Sequence, residues 1–174
     1  MSFKKISIYI CFITMSLVFI GCTAIKPITS NNEKYISKKA LDKIVKENVE
    51  PISIKPNFGG NPFCVYEIID SEKDKDIINV YIHLLGQEFY VENNNVIKGT
   101  GGVFPAIITI KKENEEYKFL NCNISRSEET EQALEIFPKA IRKKARHFYV
   151  SKSQLSEMQR NAENYFKEKN IIKS

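Results

Sequence analysis

From Ile77 to Leu85 apolar and polar side chains alternate, with Ile78, Val80, Ile82 and Leu84 pointing one way and Asn79, Tyr81 and His83 the other. A period of two marks a β-strand with a core face and a wetter face. Phe63 to Ile69 has the same β character, and the charged stretch Asp70-Ser71-Glu72-Lys73-Asp74-Lys75-Asp76 reads as the hairpin turn joining the two. Phe89 to Val91 and Val96 to Lys98 flank a second turn at Asn93-Asn94-Asn95. Gly99, Gly101 and Gly102 loosen the chain before a strand from Val103 to Lys111, which pairs with Tyr117 to Ile124 across Glu113-Asn114-Glu115-Glu116. Pro105 has no backbone donor, so its strand lies at a sheet edge or begins just after it.

At both ends of the domain the period lengthens. Ser37 offers an N-cap, and Ala40, Leu41, Ile44 and Val45 follow at helical spacing until Pro51 stops the run. Pro56, Gly59, Gly60 and Pro62 then mark a loop. After the strands, Glu129 to Phe137 predicts a short helix ended by Pro138, and Lys139 to Phe148 a second with a basic face. Ser151 and Gln154 form the capping box of a last helix, in which Leu155, Met158, Ala162, Tyr165 and Phe166 share one side. The order predicts an α+β fold: an N-terminal helix, an antiparallel sheet of about four to six strands, and C-terminal helices packed on one side.

The first residues follow neither period. Lys4 and Lys5 precede a mostly apolar run, Ile6 to Ile20, and Phe19-Ile20-Gly21-Cys22 places a cysteine directly after a small residue. The run is shorter than the roughly 17 to 25 residues of a spanning helix and suits the h-region of a signal peptide. Residues 1–21 therefore read as a bacterial lipoprotein signal, with Cys22 as the lipidated mature N-terminus on the extracytoplasmic face of the cell membrane. Residues 22–36, polar and broken by Pro27, read as a tether, and 37–174 as a single domain.

The whole chain carries 26 basic and 21 acidic residues, and removal of Lys4 and Lys5 with the signal leaves 24 against 21. So near a balance, with only Arg126, Arg142, Arg146 and Arg160 as arginines, argues against a nucleic-acid binder. The concentrated charge is Lys139, Arg142, Lys143, Lys144 and Arg146, beside His147. It is a solvated helix face or, more sharply, a contact for anionic lipid or wall polymer. Cys64 and Cys122 are the thiols left to the domain; in an oxidising compartment they are a candidate disulfide, and otherwise two small buried side chains on strands.

No catalytic, metal or cofactor constellation stands out. His83 and His147 are the only histidines, and neither has a spaced ligand or triad partner. Asp70, Glu72, Asp74 and Asp76 alternate like calcium ligands, but Lys75 stands where such a loop needs glycine and Tyr81 where it needs glutamate. Gly99 to Gly102 lacks the Lys-Ser/Thr pair and following helix of a phosphate loop.

The runs Gly99-Thr100-Gly101-Gly102-Val103-Phe104-Pro105-Ala106-Ile107-Ile108-Thr109-Ile110, Glu116-Tyr117-Lys118-Phe119-Leu120 and Ile136-Phe137-Pro138, with the basic helix that follows, resemble an extracytoplasmic module of Gram-positive bacteria. That module is found in small lipoproteins and at the end of membrane zinc metallopeptidases of the β-lactam sensor type. The resemblance covers about residues 75–150; where the module has a Pro-Arg-Asp-Gly turn, this chain has Ile124-Ser125-Arg126-Ser127, matching only at Arg126. It implies an envelope module without known catalysis. Together these readings predict a membrane-anchored, non-enzymatic binding or sensing module with an envelope protein as partner and no cofactor. The contact surface would be the sheet face around Tyr81 and His83 or the basic helix. The alternative is an envelope enzyme whose site is too dispersed to see in the sequence.

Overall fold

The computed structural model describes residues 34–147 and 150–172. The signal segment 1–21, Cys22 and the tether up to residue 33 lie outside the described residues, as do 148 and 149 in the basic stretch.

Four strands, β1 (Asn61–Asp74), β2 (Ile77–Glu92), β3 (Asn95–Glu113) and β4 (Glu116–Ile124), form one antiparallel sheet in the order β1-β2-β3-β4. Each neighbour is reached through a two-residue turn. Asn93 and Asn94 both have positive φ, 50° and 65°, the geometry of a type I′ hairpin that asparagine tolerates. The strands are longer than the alternation alone predicts. Asp70 to Asp74, read above as part of a turn, belong to β1 and pair with Tyr81 to Ile77, so the turn proper is Lys75-Asp76. Their polarity reflects a hairpin end that projects past both covering layers, where Glu72, Lys73 and Asp74 are exposed. The short runs 89–91 and 96–98 are likewise the ends of β2 and β3.

The three glycines that were expected to loosen the chain sit inside β3. Between the pairs Gln87↔Gly101 and Phe89↔Lys98, β3 carries one residue more than β2, so Gly99-Thr100 forms a bulge. Pro105 lies in an interior strand, not at an edge, and the reason is local. The Ser125 N–H donates to the Pro105 carbonyl at 2.9 Å, so the backbone groups of residue 105 face the β4 side. β3–β4 pairing begins at Ala106↔Ile124. The donor that proline lacks thus falls where β4 is already leaving the sheet.

Both faces of the sheet are covered. On one, Ile78, Val80, Ile82, Leu84, Ala106, Ile108 and Ile110 pack against Leu41, Ile44, Val45 and Val49 of the N-terminal segment. That segment is α1 (Lys38–Ile44), begun by the Ser37 hydroxyl accepting from the Ala40 N–H, and continued by one wide turn at Val45–Val49 and a tight one at Glu50–Ile52 that contains Pro51. On the other face lie α2 (Thr130–Ala133), α3 (Lys139–Ala145) and α4 (Lys152–Glu168). The C-terminal helices are thus on one side, as predicted, and the N-terminal helix closes the opposite one.

The face expected to be wetter is therefore core. Tyr81 and His83 are only 3% and 4% exposed, beneath Leu134, Phe137, Ile141 and Ala145 or in ring contact with Phe137. Alternation showed which residues shared that face, but the cover comes from a segment 50 or more positions away. The capping box of α4 is formed as predicted, with Ser151 and Gln154 bonding each other's backbone N–H. Met158, Ala162 and Phe166 face Phe63 and Phe89, whereas Leu155, expected on that side, is 36% exposed.

Candidate functional site

An open groove of about 680 Å³ lies where the 51–57 loop meets the end of the β3–β4 ladder. It is lined by Pro51, Ile52 and Ile54 to Asn57 and, opposite them, by Thr100, Phe104 and Arg126. Volume and largely apolar walls fall in the range of ligand clefts.

Arg126 follows directly on the departure of β4. Its Nη1 donates to the Ser53 carbonyl at 2.8 Å and its Nη2 to the Ile52 carbonyl at 2.6 Å, while the guanidinium lies 4.6 Å from the centre of the Phe104 ring. Two carbonyls and an aromatic face fix the fork in one orientation, and no carboxylate among the described residues pairs with it. Burial lowers its pKa, yet a guanidinium stays charged. Lys55 adds a second cation to the rim, and among the described residues no acidic one lines the groove. Phe58, 60% exposed and stacked on Tyr90 at 5.3 Å, extends the apolar surface beyond it.

Glu88, fully buried on β2, anchors the loop from behind the groove lining. Its carboxylate accepts the backbone N–H groups of Asn57 (2.9 Å), Phe58 (2.8 Å), Gly60 (2.9 Å) and Thr100 (3.2 Å). Burial alone would raise its pKa, but the four N–H bonds hold it down at about 2. One side chain thereby ties the loop to the β3 bulge. Gly99 allows the approach, since a Cβ there would sit 2.7 Å from the carboxylate. Nothing in the alternation of β2 marks Glu88. The available signals for this region were a glutamate in an apolar strand, a proline inside a strand, and an arginine just past the next one.

The residues picked out by sequence fare differently. Cys22 lies outside the described residues. Cys64 and Cys122 are half-buried free thiols on β1 and β4, the two edge strands, both packed against the core under α1. Burial pushes the Cys64 thiol up, reinforced by Glu50 and Cys122; burial also takes Cys122 up to about 11, against the pull of Arg126. Such thiols make poor nucleophiles.

The basic cluster is partly neutralised at home. Arg142 donates Nε to the Phe137 carbonyl at 2.8 Å and Nη2 to the Glu135 carbonyl at 2.9 Å, closing the turn before α3. Lys144 pairs with Asp70 at 2.5 Å, and Arg146 with Glu131 at 3.2 Å. Lys139 and Lys143 remain exposed without an ion pair among the described residues. His83 bonds the Ala145 backbone, and burial draws its pKa below the usual imidazole value. Tyr81, raised by burial, donates to Glu72 at 2.7 Å. Among the described residues no group of three or more His, Cys, Asp or Glu is placed to hold a metal ion.

Compared with known proteins, the chain matches no family model, no curated protein and no solved structure.

Proposed function

We propose that this chain is a lipid-anchored extracytoplasmic lipoprotein whose domain binds or senses a partner at the cell envelope without turning it over. The observation that carries the location is the arrangement Lys4-Lys5, Ile6 to Ile20 and Gly21-Cys22. Lipid on Cys22 would make attachment durable, because each buried methylene contributes about 0.8 kcal/mol. The resemblance of residues 75–150 to an envelope module agrees with that address.

Binding is favoured over catalysis by what the perturbed groups do. Glu88 is saturated by four backbone donors, Tyr81 is bonded to Glu72 and His83 to the Ala145 backbone, so these three shifted groups each have a structural task. The groove at Arg126, by contrast, pairs a fixed cation with apolar walls and is the surface best suited to a ligand. Lys139 and Lys143 offer a weaker contact to anionic headgroups, worth about 1 kcal/mol each near a charged surface.

Processing in cells tests the reading. Cys22→Ala, or globomycin treatment, should leave an uncleaved precursor, and the wild-type protein should partition into the membrane fraction. A protein processed normally after either treatment overturns the lipoprotein assignment.

A further inference from the structure

β3 is paired on both sides only over part of its length. Its partner β4 covers Ala106–Glu113, and Asn95–Phe104 is bonded to β2 alone. Backbone groups of alternate residues in a strand face the same edge. Because the Pro105 carbonyl faces β4, the N–H and C=O of Val103 and Gly101 point into the lane that β4 vacates at Ser125. Val103 is 45% exposed there, and among the described residues none of its backbone groups or those of Gly101 enters a hydrogen bond outside the β2–β3 pairing. Such an edge is a template for another strand, and proteins usually blunt it with charge or a covering segment. Here it carries glycines and a valine, and beside it stands Arg126, with no counter-ion among the described residues.

We propose that this lane is a strand-addition site, in which an extended segment of a second envelope protein pairs with Gly101–Val103 in continuation of β4. A carboxylate of that segment meets the Arg126 guanidinium in the groove. Main-chain bonds supply the pairing and alternate side chains the choice of partner. A side chain of the added strand on the Phe104 side of the sheet enters the groove between Phe104 and the 51–57 loop. The two cations and the absence of acids in the lining select an acidic residue at that position. The inference rests on reading the domain as a binding module, and is independent of the lipid.

The test uses the full-length protein in detergent and a phage-displayed library of random dodecapeptides, followed by anisotropy measurements on the selected peptides. Recovered peptides should share an acidic residue within an extended, β-branched context. Binding should fall at least tenfold in Arg126→Gln and also in Val103→Pro, which removes an N–H that the fold itself does not use. Val103→Thr keeps that N–H and should bind like wild type. Independently of any protein variant, N-methylation of alternate peptide amides should abolish binding in one phase and spare it in the other. Peptides without acidic enrichment, insensitivity to phase, or association of the protein with itself through β3 would each overturn the proposal. Peptides that bind unchanged to both variants but are lost on Lys139→Gln with Lys143→Gln would overturn it while leaving the binding-module reading intact; recovery of no binder would defeat both.

Discussion

The two halves of β3 show two ways of holding one strand. From Ala106 to Lys111 the backbone is bonded on both edges and Ala106, Ile108 and Ile110 are fully buried under α1. From Asn95 to Phe104 it is bonded on one edge, interrupted by a bulge, and exposed at Gly101 and Val103. The first half is stabilised by apolar area removed from water; the second is held by its ladder to β2 and, at the bulge, by the side chains of Gln87 and Glu88, which bond the backbone of Gly99 and Thr100. A strand can thus be rigid core over half its length and an accessible edge over the other half, with Pro105 as the boundary.

The sharpest way to break the comparison is to truncate one residue in each half. Ile108→Ala should destabilise the domain by about 4 kcal/mol through a lost core side chain and the cavity left behind. Val103→Ala should change stability by less than about 0.5 kcal/mol, as exposed substitutions do. Urea unfolding of both variants gives the contrast directly, and equal losses would mean that the second half is core as well.

Next in size is Glu88→Gln, which leaves four buried N–H groups facing a side chain that brings donors of its own. A loss of about 3 kcal/mol is expected. Hydrogen exchange should accelerate at Asn57, Phe58, Gly60 and Thr100 and stay unchanged at Ile108. Uniform acceleration would show that the carboxylate supports the whole sheet and not its open half.

The same group sets an acid limit. Unfolded, Glu88 takes up its proton near 4.5, and folded at about 2. The unfolded state therefore binds more protons between those values, and the contribution of Glu88 is present above pH 4.5 and is lost as pH falls toward 2. His83 acts at milder pH with the same sign. Its folded value lies below 6.5, so protonation favours the unfolded chain as pH falls through 6.5. Thermal melts from pH 7.5 to 2.5 should show a shallow decline first and a steeper one below pH 4.5; Glu88→Gln should remove the second and His83→Gln the first.

A small effect also belongs to α3. Lys144→Ala breaks an exposed pair with Asp70 and should alter stability by less than about 1 kcal/mol. A larger loss would make the basic helix a structural strut.

Much of the fold is legible along the chain because its signals are short-range. Strand alternation over 77–85, the N-cap Ser37 and the capping box Ser151–Gln154 each depend on residues a few positions apart, and each is found where it is read; the asparagine turn read over 93–95 is found one residue shorter, because Asn95 opens β3. Strand ends were misjudged for the same reason: the polar residues 70–74 lose the alternation but keep their pairing partners, which lie across the hairpin.

The sequence by itself determined the period of the main elements, the class of the fold and the identity of the charged groups. Only the tertiary structure decided which sheet face is dry, which charges are neutralised and where an edge stays open. Each of these rests on contacts between residues far apart: Phe137 on Tyr81, Glu88 reaching back to Asn57, and Arg126 bonded to Ser53, 73 positions away. Periodicity reports what one element prefers, whereas burial and hydrogen-bond satisfaction are properties of the partner that folds against it.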